Sequence, residues 1–440
     1  MLKKHPILLG TFILTATGFI SRFIGFFFRM FLSHVFGEEQ VGLYQLIFPI
    51  YALCFSFTTA GIETALSRCI AHKLSSNKHS EIKPLVTASI IISLLLSFAT
   101  TLVLQHYAFD ISIYVLGDIR CKSMLIAVSY AVPFAAIHSC VCGFYFGLKE
   151  TKIPAISQLI EQLCRVGSVY IIFQIALHQN GQLNILFAVI GLVAGEFFSA
   201  LFCMYKFRKD IKAYPSKSTL TRSLFLAKEL LQLSTPLTAS RMLLNFLQSI
   251  ESISIPIQLQ VYGYTNSESL RNYGVLTGMA LPCIFFPTAI TNSISTMLLP
   301  TVAELQAQKD YPALKKLISK ICFSCVMMGS FCCFIFFLTS NFIGRFLFHS
   351  ILAGTYLKIL SWICPFLYLN TTLISIINGF GKTNISLIIN SISLLIRITG
   401  IIIFIPIIGM NGYLWGLLFS HCITSIFSFS YICLHLKKIA

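Results

Sequence analysis

Charge is what this chain has least of. Asp, Glu, Lys and Arg make up 11% of its 440 residues, against about 25% in a soluble domain. Acidic residues are the scarcer kind, 15 against 32 basic ones. A surface so poor in charge excludes a cytosolic globule, and 56% apolar content leaves an all-α polytopic membrane protein. Proline is sparse too, 14 residues beside 40 Phe, which excludes disordered or collagen-like chains. No connection expected on the outer side exceeds roughly twenty residues, leaving no room there for a catalytic domain.

The surplus of Lys and Arg does not point to nucleic acid, because it clusters in short loops between apolar runs and no binding motif interleaves it. The 15 Cys sit almost entirely within those runs. Cys322-x-x-Cys325 has no second pair and no His-x-x-x-His partner, so it reads as small apolar filler. No metal and no cofactor is expected.

Twelve runs, from 7–36 to 412–435, are long enough to cross hydrocarbon, which takes about 20 residues. With the N-terminus inside, the inner loops hold 22 Lys and Arg and the outer loops 5. That asymmetry places both termini in the cytoplasm. The expected domains are a six-helix lobe over 1–207, a basic cytoplasmic linker over 208–229, and a second six-helix lobe over 230–440.

The two lobes read as repeats. Pro133-Phe134, Gly147, Thr151, Ile153, Ile156 and Arg165 recur at a constant offset of 232 as Pro365-Phe366, Gly379, Thr383, Ile385, Ile388 and Arg397. Near the start of each half, Ser21-Arg22 falls on Ser240-Arg241 at an offset of 219. Six helices per half makes this a parallel, pseudo-symmetric repeat.

Nine ionisable residues lie within the apolar runs. Five arginines facing lipid would cost roughly 12–18 kcal/mol, so they must face the interior, a cavity or each other. In the first run Thr15, Gly18, Arg22, Gly25 and Arg29 share one helical face. The seventh repeats the pattern with Thr238, Arg241, Asn245 and Gln248. Arg22, Arg29, Arg241, Asn245, Gln248 and Arg397 are therefore the expected substrate-binding residues, since a guanidinium keeps its charge and its fork of donors fits phosphate. Glu63, Glu196 and Glu251 are available for ion coupling or for pairing with an arginine. Glu161 and Arg165, four apart in the favourable order, suit an intrahelical structural pair. Gly143-xxx-Gly147 and Gly191-xxx-Gly195 read as close helix contacts. His138 and His421, single in their runs, read as core residues.

SRFIGFFFRMFLSHVFGEEQVGLYQLIFPIY (21–51), TAGIETALSR (59–68), AISQLIEQLCRV (155–166) and YGVLTGMALPCIFFPTAITNSISTMLLPTVAE (273–304) resemble the stage V sporulation protein B family. That resemblance implies alternating access and outward movement of an undecaprenyl-pyrophosphate-linked glycan or peptidoglycan precursor across a bacterial plasma membrane. The implied partners are that anionic lipid-linked glycan and membrane lipids; a monomer that is not an enzyme is expected. A multidrug extruder of the same superfamily would instead need a cavity dominated by acidic and aromatic residues. A membrane transferase would need an acid–base or metal constellation, and a non-transporting envelope scaffold would need neither.

Topology is testable on a Cys-free background. Single cysteines at Asp110 and Asp118 should take an impermeant label in intact cells, and one at Lys209 should not; labelling at 209 overturns the orientation.

Overall fold

Hydrocarbon offers the backbone no hydrogen-bond partners, so a spanning segment must satisfy its amides internally. Among the described residues every regular element is accordingly helical. The structure, a computed structural model, describes residues 6–179, 183–214 and 220–439. Lys3 and Lys4, and positions 215–219 of the expected linker, lie outside the described residues.

Nine described helices are long and apolar enough to cross a membrane, or ten counting a pair bent by 55°. Twelve runs were expected, and the difference has two sources. Runs 7–36 and 42–66 share one 63-residue stretch, Ile13–Ser75, in which α1 (Pro6–Phe55) is broken at Gly37. Gly37 sits at φ 76°, ψ 173°, a region essentially closed to residues with a Cβ. The other source is the seventh run, a helix rich in Ser, Thr and charge that falls outside the apolar set.

Contacts divide the chain into two compact units, Met1–Gly25 with Leu46–Ser249, and Phe26–Gln45 with Ile250–Ala440. This division by contacts passes between Ser249 and Ile250. The helix there, Leu220–Tyr262, runs on without a break, and its residues up to Ser249 group with the first unit.

The first unit contains the ends of α1 together with α2 (Gly61–Ser75), α3 (Ile82–His106), α4 (Cys121–Ser129) and α5 (Ala131–Gly147). It continues through α6 (Lys152–His178), α7 (Leu186–Asp210) and most of α8 (Leu220–Tyr262). Its core joins Leu66 and Ile70 of α2, Val141 and Phe144 of α5, Cys203 of α7 and Leu230 of α8. Glycines set the closest crossings. A Cβ on Gly61 would lie 1.9 Å from Thr238 Oγ1 and 2.6 Å from Ser234 O. One on Gly143 would lie 2.8 Å from Glu63 O, and one on Gly195 2.7 Å from Glu161 O. Both glycine pairs seen in the sequence are thus helix contacts, α5 on α2 and α7 on α6.

The second unit contains α9 (Asn266–Gly274), α10 (Thr288–Ala307), α11 (Tyr311–Phe342), α12 (Ile351–Leu360), α13 (Cys364–Gly379), α14 (Thr383–Ile408) and α15 (Met410–Ile439). Val302, Ile318, Leu373, Ile377 and Ile432 share its core. The segment 26–45 joins this unit through α9. Arg271 pairs with Glu38, Ser267 donates to Glu39 at 2.6 Å, and Gly274 lies against the backbone of Gly42.

The repeat is also visible in irregular backbone. Wide π turns at Ile111–Val115 and Ile343–Leu347 stand at the same offset of 232, and those beginning at Ser56 and Val275 at the offset of 219. Three left-handed positions recur at the larger offset: Asn77 and Lys309, Gly117 and His349, Lys149 and Gly381. The residue types differ between copies while the conformation stays the same. The two lobes are pseudo-symmetric.

Overpacking a tight crossing costs about 1–3 kcal/mol. Gly61→Ala should therefore lower the melting temperature in detergent. Gly18→Ala, whose Cβ meets nothing within 4 Å, should leave it unchanged or slightly raised. Equal melting of the two variants would contradict the packing.

Candidate functional site: buried ion pairs and helix arginines

The helix crossings of the first unit bring three carboxylates together. Close approach at Gly143 sets α5 against α2, and Ser139 donates to Glu63 at 2.8 Å. Close approach at Gly195 sets α7 against α6 and puts Glu196 beside the turn that carries Glu161. Glu161 pairs with Arg165 one turn along its own helix. Glu196 accepts from Tyr51 Oη at 3.0 Å, and its other oxygen lies 3.7 Å from His138 Nδ1. Glu63, Glu161, Glu196, His138, Ser139 and Cys142 line a cavity of about 270 Å³.

His138 is therefore not the simple core residue expected from its isolation in the sequence. Its Nε2 meets Ser157 Oγ at 2.9 Å and its Nδ1 meets Ser199 Oγ at 3.3 Å. The overlooked signal is periodic: His138, Ser139 and Cys142 on α5, Ser157 and Glu161 on α6, and Glu196, Ser199 and Cys203 on α7 each fall on one helical face.

In the second unit the carboxylate of Glu251 is buried. Arg397 of α14 pairs with it at 3.1 Å, and Tyr413 of α15 donates to the same oxygen at 3.0 Å. Arg397, grouped above with the substrate-binding residues, is thus engaged by a buried acid from a helix much earlier in the chain. His421 lies in the same unit, its carbonyl accepting from Asn370 at 3.0 Å.

The other helix arginines lie elsewhere. Arg22 is exposed and Arg29 half-buried on α1. Arg241 is exposed on α8 and donates to Thr64 Oγ1 at 3.1 Å, a neutral partner. Asn245 donates to Ser56, fixing α8 against the π turn, and Gln248 is exposed. Arg22, Arg241, Asn245 and Gln248 fall in the first unit, Arg29 and Arg397 in the second.

Helices of this length and apolarity, with charges matched in their interior, define a multi-pass membrane protein. The chain belongs to the polysaccharide biosynthesis protein family, whose sequence model matches residues 7–306. It is 27% identical to stage V sporulation protein B of Bacillus subtilis (strain 168) over 424 residues, covering 93% of this chain and 80% of the relative. It is 21% identical to the lipid II flippase MurJ of the same organism, covering 72% of this chain and 61% of the relative. Among solved structures, lipid II flippase MurJ in an inward closed conformation has a TM-score of 0.73 at 16% identity, covering 97% of this chain and 90% of that one. An inward-facing multidrug resistance MATE family transporter of the MOP superfamily has a TM-score of 0.72 at 13% identity, covering 95% of each chain. These likenesses establish the fold.

Removing one member of a buried ion pair leaves an uncompensated charge, at about 3–5 kcal/mol. Glu251→Gln should destabilise the protein on that scale, and adding Arg397→Leu should recover part of the loss. Thermal melts of the single and double variants check this; a double variant as unstable as the sum of both singles contradicts the pairing.

Proposed function

We propose that this protein is a flippase that moves an undecaprenyl-pyrophosphate-linked glycan or peptidoglycan precursor from the inner to the outer leaflet of a bacterial plasma membrane. Family membership and the likeness to a sporulation protein and a lipid II flippase support a carrier for envelope or spore-cortex synthesis rather than an enzyme. The orientation consistent with the basic loops has both termini in the cytoplasm.

The observation that carries the reading is how the helix arginines sort. Arg165 and Arg397 are matched by carboxylates within their own units. Arg241 instead stands at an exposed helix position and donates to a neutral hydroxyl. A guanidinium held in that way on a helix read from the sequence as a span is costly, and an anionic ligand offsets the cost. Arg22, at the pseudo-equivalent position of the first helix, is exposed as well. Arg22, Arg29 and Arg241 bind the pyrophosphate, with Asn245 and Gln248 on the same face of α8 as Arg241. Transport requires that they hold it more tightly in one conformation than in the other. Glu63 and Glu196, facing the cavity of the first unit, are the groups available to exchange a coupling proton or cation, while Glu251 is engaged by Arg397.

Arg22→Ala, Arg29→Ala and Arg241→Ala should each abolish flipping without loss of folding, and Lys at these positions should restore it only in part. The measurement is arrival of labelled lipid-linked precursor at the outer face of proteoliposomes at equal protein level. Normal flipping by the triple Ala variant overturns the anionic-substrate reading.

A further inference from the structure

The wall of the cavity in the first unit carries a set of donors that anion transport does not use. Cys142 is one turn beyond His138 on α5, and Cys203 is two turns beyond Glu196 on α7. The two thiol sulfurs and an imidazole nitrogen of His138 all lie within 4.8 Å of one another. Cys203 is fully buried and Cys142 nearly so, while His138 and Cys142 also line the cavity. These side chains are close because α5 packs directly on α7, which the crossing at Gly195 sets against α6. Helices α5 and α7 therefore supply a Cys₂His set that no linear spacing in the sequence displays.

A second, independent observation concerns Glu196. The residue is 7% exposed and lines the same cavity, and its buried Oε2 has no hydrogen-bond partner among the described residues. A buried carboxylate oxygen left in that condition is costly. It lies 3.7 Å from His138 Nδ1. An imidazole that binds a metal through one nitrogen characteristically presents the N–H of the other to a carboxylate, which fixes the ring and raises its basicity. Here Nδ1 faces Glu196, while the opposite nitrogen, Nε2, shares Ser157 Oγ with the Cys142 sulfur, at 2.9 and 3.8 Å.

We propose that His138, Cys142 and Cys203 form a zinc-binding site inside the first unit, with Glu196 orienting the imidazole. Two thiolates and a neutral imidazole select a borderline-soft d¹⁰ cation over sodium, magnesium or calcium, which prefer oxygen. Two thiolates balance the divalent ion, so the three ligands and the metal carry no net charge, which suits a low-dielectric interior. The metal then ties α5 to α7 through their side chains.

The full chain, purified in detergent and stripped with a chelator, tests this in two ways. With zinc present, alkylation of Cys142 and Cys203 by N-ethylmaleimide, followed by peptide mass spectrometry, should slow by roughly tenfold or more. Cys325, whose sulfur accepts from Thr372, should react at the same rate with or without zinc. Cobalt(II) added instead should give one equivalent of thiolate-to-metal charge-transfer absorption, lost in Cys203→Ser and weakened in His138→Gln. Alkylation that proceeds in the stripped chain and is not slowed by zinc at either cysteine, or cobalt uptake without that absorption in the wild-type chain, overturns the site. A charge-transfer band that persists in a folded Cys142→Ser/Cys203→Ser variant does the same. The wild-type measurements decide the matter even where a variant fails to fold, and none of these readouts depends on flipping.

Discussion

Hydrocarbon penalises an unmatched charge more than any other feature of this chain, and the arrangement of its helices follows from that penalty. With 15 acidic residues in 440, carboxylates are too few to neutralise every cation. Those within the helices are placed where they match a particular partner. Glu161 neutralises Arg165 along one helix, and Glu251 neutralises Arg397 between two. In each unit a tyrosine hydroxyl donates at 3.0 Å to a buried glutamate, Tyr51 to Glu196 and Tyr413 to Glu251. Both carboxylates thereby gain a donor that brings no further charge.

The pseudo-equivalent arginines 165 and 397 show how a repeat diverges under this constraint. Position 161 is Glu in the first copy, but its counterpart in the second, Ser393, cannot neutralise anything. The second copy takes its acid from α8 instead. His138 likewise has Asn370 as its counterpart, an amide that bonds the His421 carbonyl. Backbone features tolerate exchange better than charges do. The left-handed turn at Gly117 is kept at His349, and that at Gly381 is kept at Lys149, although a Cβ makes the conformation more costly.

Much of the fold was legible in the sequence because it depends on short-range regularities. Apolar run length marks the spans, two constant offsets mark the repeat, and glycines four apart mark the close crossings. Spacing alone puts Glu161 within reach of Arg165. What could not be read depends on which helix faces which. Glu251 and Arg397 lie on helices widely separated in the chain, and no periodicity links them. Cys142 and Cys203 look like apolar filler, as most buried cysteines are, until helix packing places them around one histidine. The unit boundary was also hidden. An unbroken helix, Leu220–Tyr262, carries the chain from one unit into the other, so no loop marks the passage.

The attachment of the 26–45 segment to the second unit bears on biosynthesis. Gly42 rests on Gly274, with nearly the whole first unit lying between them in the chain, and Glu38 takes Arg271 as its partner. A ribosome adding about 5–20 residues per second takes roughly ten to fifty seconds to cover that distance. Throughout that interval the nascent chain carries a bare glycine face and an unanswered pair of acids, Glu38 and Glu39, while the rest of the first unit is being assembled. The segment precedes these partners by some 232 residues, so an insertase or chaperone attending the emerging chain would meet it unsatisfied throughout that interval.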